Sequence, residues 1–259
     1  MGYPLQGKRA LITGASSGLG LAMAEALAEA GATVILTARS AEKLETAVAC
    51  LVRRQLDAHA RVMDVRDEQS IAAAVEEVRR RWGGLDLLVN NAGIGMRTVN
   101  PDFLSEPQPF YNVSAAGFRD LIDTNLTGYF LVTKAFVVLF LEQGRGKIVN
   151  ITMNHATMRR KGFVPYGPSR AGTDSLSLIM AEDLREANVQ VNMLLPGGAT
   201  ETGMIPEEHK ETIKAQFGLL NPAVMADPIV FLASKASDGL TGERIVASEF
   251  PEWLRQREL

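Results

Sequence analysis

The chain has 259 residues, of which 46% are apolar, and a formal net charge of −3 from 27 Lys and Arg against 30 Asp and Glu. This composition is ordinary for a globular protein and argues against a nucleic-acid-binding surface, which would be strongly basic. The single cysteine, Cys50, excludes an intrachain disulfide, and the three histidines are too far apart in sequence to suggest a zinc site. The N-terminus lacks the apolar segment of a secretory signal, and the longest apolar run, Tyr129 to Leu141, is shorter than the about 20 residues that span a bilayer. We therefore expect a cytoplasmic protein with no metal site and no nucleic-acid or membrane partner.

Short apolar segments alternate along the chain with longer segments of helical periodicity. The predicted strands are Arg9–Thr13, Thr33–Thr37, Ala60–Asp64, Leu85–Asn90, Lys147–Thr152, Val189–Leu195 and Arg244–Ala247. The predicted helices are Gly18–Ala30, Ala41–Leu56, Glu68–Trp82, Ala115–Glu142, Tyr166–Ala187 and Pro222–Ser234. Strands that are apolar throughout are typical of parallel sheets buried on both faces. The pattern predicts an α/β fold over residues 1–259, a single doubly wound, mostly parallel seven-stranded sheet with helices on both faces.

Two long segments, residues 94–114 and 198–220, interrupt this alternation. Each follows a predicted strand at its carboxyl end, the edge where open α/β sheets bind ligands. We expect them to be loops that cover a substrate, with simple surface insertions as the alternative. The apolar side chains that would line such a pocket are Met96, Phe103, Phe110, Met153 and Met204.

A glycine-rich turn, residues 13–20, joins the first predicted strand to the first predicted helix. In this context Gly14 permits a tight turn, Gly18 lets the backbone approach a pyrophosphate, and Gly20 lets the helix pack close to the strand. The N–H groups at the start of the helix would then face the phosphates. The turn predicts a dinucleotide site.

The spacing G-x-x-x-G-x-G resembles that of the short-chain dehydrogenase/reductase family. Four further motifs are similar to the family's in the same order: Asp64-Val65, Asn90-Asn91-Ala92-Gly93, Asp123-Thr124-Asn125-Leu126 and Pro196-Gly197. The resemblance extends from Lys8 to about Val246 and implies a single-domain Rossmann fold that binds a nicotinamide dinucleotide. By this resemblance the cofactor contacts would come from Gly14, Ser16, Ser17, Gly18, Leu19, Gly20, Asp64, Val65, Asn91, Ala92, Gly93, Pro196, Gly197 and Thr202.

The end of the second strand bears on the choice between the two nicotinamide dinucleotides. The position where members of the family that prefer NAD carry an acid resembles Ala38 here, and Arg39 follows it. A carboxylate suits a ribose 2′-hydroxyl, whereas an arginine can bind a 2′-phosphate in bidentate fashion. We expect NADP(H) to be preferred over NAD(H), with a solvated surface arginine as the alternative.

The resemblance also implies the catalytic residues. Among the four tyrosines only Tyr166 has a basic residue four positions later, Arg170, and this spacing places both on one helix face. In the family the tyrosine exchanges the proton of the substrate oxygen. The basic residue binds the nicotinamide ribose and favours ionisation of the phenol, and an asparagine, here Asn125, supports a water. Tyr166 and Arg170 would therefore contact the cofactor as well.

Two positions depart from the family pattern. The family lysine is Arg170 here, and the family serine, thirteen residues before the tyrosine, is Met153. Thr152 is expected to point to the opposite face, because side chains alternate along a strand. Asn154 or His155 could donate the missing hydrogen bond, which makes Met153, Asn154, His155 and Met204 candidate substrate contacts.

We expect an NADPH-dependent oxidoreductase that interconverts a carbonyl and a secondary alcohol. Two alternatives stay open: a dinucleotide-binding protein with little catalysis, and a non-redox lyase that resembles haloalcohol dehalogenases in pairing a tyrosine with an arginine. The resemblance also implies a homodimer or homotetramer formed through the helices predicted at 115–142 and 166–187.

Overall fold

The computed structural model describes residues 4–205, 210–211, 214–215 and 218–257. Seven strands form one sheet in which every neighbouring pair is parallel, in the order β3-β2-β1-β4-β5-β6-β7. The strands are β1 Arg9–Thr13, β2 Thr33–Ala38, β3 Ala58–Val62, β4 Leu87–Asn90, β5 Gly146–Ile151, β6 Val189–Leu195 and β7 Arg244–Val246. The predicted α/β fold with a doubly wound parallel sheet is confirmed.

Helices connect the strands and cover both faces of the sheet. They are α1 Gly18–Glu29, α2 Ala41–Arg53, α3 Glu68–Trp82, α4 Ala115–Ile122, α5 Gly128–Gln143, α6 His155–Met158, α7 Tyr166–Asp183, α8 Ala226–Ala233 and α9 Phe250–Arg255. Strand order reverses between β1 and β4, because the chain runs outward to β3 before it returns to β4. Such a reversal opens a crevice at the carboxyl ends of the strands, where ligands of α/β sheets bind.

One predicted helix is interrupted in the structure. Residues predicted as a single helix over 115–142 form α4 and α5, joined by a π-helical turn at Asp123–Thr127. The extra residue of the π-turn shifts the phase of the apolar pattern, but α5 is apolar on nearly every side, so the sequence does not reveal the shift. π-Turns occur often at functional sites, and this one contains Asn125.

The third strand also differs from its predicted bounds. It covers Ala58–Val62 and not Ala60–Asp64, because its pairing with β2 begins at Val34 opposite Ala58 and ends at Ala38 opposite Val62. Asp64 therefore lies just beyond the carboxyl end of β3, on the edge of the sheet where the crevice opens.

Two apolar layers hold the helices to the sheet. On one face α5 buries Phe136 and Phe140 against the strands, with α3 packed beside it. On the other face α1 buries Met23 and α8 buries Phe231. The continuous helical stretch Ala115–Gln143 is long and apolar enough to cross a membrane, but half of its most apolar window is buried inside the fold. Its place in the core accounts for its apolar composition.

Candidate active site

A cavity of about 470 Å³ opens at the carboxyl ends of the strands. It is lined by Leu19, Asn91, Gly95, Met96, Phe103, Leu104, Ile151, Thr152, Met153, Asn154, Thr157, Arg160, Phe163, Tyr166, Arg170, Pro196, Gly197, Gly198, Ala199, Thr200, Thr202, Met204 and Ile205. Residues from the glycine turn, from β5, from α7 and from both long segments thus meet around one space. The part of the 198–220 segment at 206–209, 212–213 and 216–217 lies outside the described residues.

The glycine turn has no room for side chains where the sequence has glycine. Gly14 has a φ of +65°, and a Cβ there would lie 2.7 Å from the Cα of Ala92. A Cβ on Gly20 would lie 2.6 Å from the backbone oxygen of Gly14. Gly18, with a φ of +58°, faces the methyl group of Thr202, a residue that borders both the main cavity and a smaller one beside the turn. The turn therefore brings bare backbone to the crevice.

The start of α1 is suited to an anion. Ser17 occupies the N-cap position without a side-chain hydrogen bond to the helix, and the first turn has no acidic residue. The first N–H groups of a helix lack partners within it and carry a partial positive charge. A phosphate would find donors here, so the turn and the helix fit the pyrophosphate of a dinucleotide.

The Asn91-Ala92-Gly93 segment fastens β4 to the glycine turn. The backbone N–H groups of Asn91 and Ala92 donate to Thr13 Oγ1 at 2.9 and 3.0 Å, and Asn91 Nδ2 donates to the Thr13 carbonyl at 2.9 Å. Deeper in the sheet, buried Asn90 donates to Thr133 and Asn150. These bonds hold the floor of the crevice rigid.

Charged side chains lie at the far end of the crevice, beyond β2 and β3. Arg39 is exposed and makes no ion pair within the described part of the chain. Burial alone would raise the pKa of the Asp64 carboxyl, but hydrogen bonds and charge from Arg66, with a smaller effect of Arg39, lower that pKa overall. Arg66 also bonds Asp120 at 2.5 Å. Arg39 is thus left without an ion pair, and the nearby Asp64 carboxylate already binds Arg66.

Tyr166 is the first residue of α7 and is half-buried at the cavity wall. Its hydroxyl lies 3.9 Å from the sulfur of Met204, and its ring packs edge-on against Phe163 with 6.3 Å between centroids. Gly167 follows without a Cβ, which would fall 2.0 Å from the Met158 carbonyl oxygen. The close packing of α6 against α7 therefore fixes the start of the helix that carries the phenol.

Arg170 lies one turn further along α7 and is 3% exposed. Its Nη1 donates to the Tyr129 hydroxyl at 2.9 Å and to the Ile151 carbonyl at 3.0 Å. Its central carbon is 5.4 Å from the ring centroid of Tyr129 and 5.5 Å from that of Tyr166. Burial alone would lower the pKa of Arg170, but the oxygens of the two phenols raise it, so the guanidinium stays charged.

The other end of the guanidinium faces Gly93 and Asn125. A Cβ on Gly93 would lie 2.6 Å from Arg170 Nη2 and 3.1 Å from Asn125 Oδ1, so glycine makes room for both groups. The side-chain amide of Asn125 accepts from Ile94 N at 2.8 Å and donates to Ile94 O at 2.9 Å. Asn125 therefore fixes the start of the 94–114 segment.

Met153, at the family serine position, and Asn154, which follows it, both border the cavity. Met153 joins an apolar cluster with Met96, Phe163 and Tyr166 and forms part of the cavity wall. Asn154 lines the cavity, and its Nδ2 donates to the Gly197 carbonyl at 2.8 Å.

The expectation that His155 returns to the crevice is wrong for this structure. Its Nε2 lies 3.4 Å from Asp174, its side chain is 60% exposed, and it is not among the lining residues. The reason is that β5 ends at Ile151 and α6 begins at His155, so strand alternation no longer applies there. Thr152 borders the cavity, but its hydroxyl is shielded from solvent and has no partner among the described residues.

The predicted pocket lining is partly correct. Met96, Phe103, Met153 and Met204 line the cavity, whereas Phe110 is 70% exposed and packs on Tyr111. The lining residues that sequence reasoning missed include Leu104, Arg160 and Phe163, and it also missed Tyr129, which binds Arg170 behind the cavity wall. Tyr129 lies four residues after Asn125 within one predicted helix, but this spacing does not point to Arg170.

The buried Tyr129 phenol predicts how stability depends on pH. Burial raises the pKa of Tyr129 above its ordinary 10.0, and the charge of Arg170 offsets only part of that rise. A group with a raised pKa stabilises the fold below its unfolded pKa, and this stabilisation is lost as the pH increases further. At pH 8 we expect Tyr129→Phe to cost about 1.5–3 kcal/mol, the value of a hydrogen bond to a charged group.

Above pH 10 the gap in unfolding free energy between the wild type and Tyr129→Phe should narrow. Urea unfolding between pH 8 and 11 measures it, with Tyr111→Phe as the matched control, since Tyr111 is 73% exposed. A gap that stays constant with pH would contradict the prediction.

The comparisons with known proteins agree with this geometry. Residues 8–212 match the family model described as short chain dehydrogenase. The gluconate 5-dehydrogenase of Gluconobacter oxydans is 35% identical over 250 residues, which cover 93% of this chain and 93% of that protein. The 3-oxoacyl-acyl-carrier-protein reductase of Aquifex aeolicus is 34% identical over 251 residues, which cover 95% and 97%.

A solved structure shares the fold over almost the whole chain. The gluconate 5-dehydrogenase of Burkholderia cenocepacia in complex with NADP and tartrate has a TM-score of 0.82 and 29% identity, covering 94% of each chain. The family match spans most of the sequence, and two relatives exceed 30% identity over more than nine-tenths of it. The chain therefore belongs to the short-chain dehydrogenase/reductase family.

Proposed function

We propose that this protein is an NADPH-dependent oxidoreductase that interconverts a carbonyl and a secondary alcohol, with Tyr166 as general acid and base. The family and the relatives support NAD(P)-dependent chemistry at CH–OH and C=O groups. The observation that carries the proposal is the meeting, in one cavity, of Tyr166 and Arg170, with Leu19 bringing the end of the glycine turn to the same space.

The described residues fit a nicotinamide dinucleotide. The glycine turn and the start of α1 would hold the pyrophosphate, and Gly93 keeps the space beside Arg170 Nη2 free. We assign the nicotinamide side to Pro196, Gly197 and Thr202, which line the cavity, and the adenosine side to Asp64 and Val65. When bound, the cofactor supplies or accepts a hydride at the substrate carbon.

Tyr166 would exchange the proton of the substrate oxygen. The phenol stands at the wall of the cavity, and its approach to Met204 leaves the hydroxyl without a strong hydrogen-bond acceptor. Arg170 supplies a permanent positive charge beside the ring and cannot itself relay a proton, because a guanidinium does not deprotonate in proteins. In this account Arg170 holds the ribose and places a fixed positive charge beside the Tyr166 ring.

Asn154 is the better candidate for the donor that the family serine would provide. It lines the cavity beside Met153, whereas His155 is held outside by Asp174. One N–H of its amide is bound to the Gly197 carbonyl, and the second remains for a substrate oxygen. A positioned donor of this kind contributes about 10²–10³ to the rate.

The two alternatives receive less support. The relatives named above are oxidoreductases, and the glycine turn with its free helix start is what a nucleotide needs. A non-redox lyase would not require that turn. A dinucleotide-binding protein with little catalysis would not require the placement of Tyr166 and Asn154 in one cavity.

Turnover tests the site. With NADPH and a panel of ketones, Tyr166→Phe should lower kcat by a factor of about 10³ or more, because the proton donor is removed while nucleotide binding is kept. Asn154→Ala should lower kcat about 10²–10³-fold. His155→Ala, the matched control, should stay within a few-fold of the wild type. Unchanged kcat in both site variants would refute the assignment.

Cofactor choice is a separate prediction. Arg39 is exposed, makes no ion pair in the described part of the chain, and follows the end of β2, where we assign the 2′-phosphate. Arg39→Ala should weaken NADPH binding about tenfold to hundredfold and leave NADH binding nearly unchanged. Calorimetric titration with both nucleotides measures this. Tighter binding of NADH than of NADPH by the wild type would contradict the proposal.

We further propose that the protein is cytoplasmic and forms a homodimer or homotetramer. The helices α5 and α7 expose Phe130, Val138 and Leu141 on one and Leu178 and Ile179 on the other. Apolar side chains on neighbouring helices favour association with an equivalent surface.

Sedimentation equilibrium at micromolar concentration should therefore show a dimer or tetramer. The variant Ile179→Asp should dissociate it, because a carboxylate at the contact would be desolvated without a partner. Val52→Asp on α2, equally exposed, is the control. A monomeric wild type would refute the assembly.

A further inference from the structure

The cavity carries an unusual balance of charge for a space with mostly apolar walls. Among its described lining residues there is no Asp or Glu, and two are cationic, Arg160 and Arg170. Arg170 is buried and bound to Tyr129 and Ile151, whereas Arg160 is exposed at the wall. The proposed catalytic function uses Arg170 and leaves Arg160 without a role.

The turn that carries Arg160 is well defined. The N–H of Arg160 donates to the Thr157 carbonyl, and its own carbonyl accepts from Phe163 N, both at 3.2 Å. Gly162 follows with a φ of +78°, and a Cβ there would lie 2.6 Å from Pro107. The turn after α6 is thus packed against the 94–114 segment, so the position of Arg160 does not depend on its side chain alone.

The guanidinium of Arg160 lies on the face of an aromatic ring that leads to the catalytic phenol. Its central carbon is 5.2 Å from the Phe163 centroid, and Phe163 in turn contacts Tyr166 edge-on. A cation that stacks on a ring keeps the N–H groups at its edge free for hydrogen bonds. Arg160 forms no ion pair with any described acidic residue. One aromatic ring therefore separates a free guanidinium from the proposed proton donor.

Neighbouring charges strengthen this site for an anion. Arg159 and Lys161 flank Arg160 and are both exposed, so the rim of the cavity is positive. The carboxylate nearest to Arg160 in sequence, Asp174, is engaged with Arg244 at 3.0 Å and with His155. Glu106, which precedes the Pro107 that packs on Gly162, is exposed and forms no ion pair with Arg160. A positive rim over low-polarity walls concentrates anionic solutes at the opening.

We propose that the preferred substrate carries a carboxylate that Arg160 binds while its carbonyl or alcohol carbon lies at Tyr166. This rests on the proposed function and names its substrate class: keto acids, or the matching hydroxy acids, with an apolar body. The planar edge of one guanidinium matches a carboxylate in bidentate fashion. Met96, Phe103 and Phe163 would contact the apolar part of the molecule.

Matched pairs of acids and esters test the assignment. The NADPH-dependent reduction of benzoylformate, acetoacetate and 4-oxopentanoate is compared with that of their methyl esters, since each ester removes the negative charge and adds only one methyl group. The wild type should prefer at least one acid to its ester in kcat/KM. Arg160→Met should raise KM for that acid about tenfold to hundredfold, with little change in kcat and none for the ester.

Arg159→Met is the control, because it removes the same charge from the same rim without touching the cavity wall. It should leave KM for the acid within a few-fold of the wild type. Equal losses in the two variants would overturn the proposal, since a general field would then explain the preference. A wild type that reduces every ester as well as its acid would overturn it too.

A binding measurement separates this proposal from the proposed function. Calorimetry with phenylacetate and phenylacetamide, with and without NADP⁺, does not require turnover. The carboxylate site is supported if the wild type and Arg159→Met bind the acid and Arg160→Met does not. This result holds even if no ketone is reduced, and the lack of reduction would then count against the proposed function. Equal binding of acid and amide by the wild type overturns the carboxylate site.

Discussion

The candidate active site depends on the positive charge of Arg170, which cannot be lost by deprotonation. Arg170 is almost fully buried, and a buried guanidinium must be satisfied by hydrogen bonds because it does not deprotonate. Tyr129 and the Ile151 carbonyl supply two acceptors for Nη1, the rings of Tyr129 and Tyr166 lie beside the cation, and Gly93 leaves space for Nη2. Nε is buried and has no partner among the described residues. A lysine at this position has a compact ammonium and would not reach the same set of partners.

The same constraint links the elements that build the crevice. Tyr129 comes from α5 just after the π-turn, Ile151 ends β5, and Arg170 lies on α7. A cation shared by three elements fixes the wall on which Tyr166 stands. Since the family serine is Met153, the wall beside the phenol is more apolar, and Asn154 and Arg160 are polar residues of the lining to which we assign substrate contacts. An apolar substrate body with one charged end matches this distribution.

The sequence predicted the parts of the molecule that depend on repeated pattern. Parallel strands buried on both faces are apolar throughout, so β6 was placed at Val189–Leu195 without error. The i, i+4 spacing placed Tyr166 and Arg170 on one helix face, and the structure brings both to the cavity. Motif spacing also located the glycine turn, because its backbone conformation requires glycine at Gly14 and Gly18.

Features that depend on tertiary contacts were not predicted from the sequence. Strand alternation pointed His155 to the crevice, but the chain had already turned into α6, where Asp174 holds the imidazole outside. Phe110 was expected in the pocket and is instead exposed, because no apolar periodicity in a loop tells inside from outside. The partnership of Tyr129 with Arg170 joins residues 41 positions apart, and no local pattern encodes it.

The most direct measurement of the central claim is a crystal structure of the complex with NADP⁺. The account predicts that the nicotinamide enters the cavity, that its ribose hydroxyls lie against Tyr166 and Arg170, and that Arg170 keeps its bonds to Tyr129 and Ile151. A nicotinamide outside the cavity, or an Arg170 that leaves Tyr129 to contact the nucleotide, would contradict it.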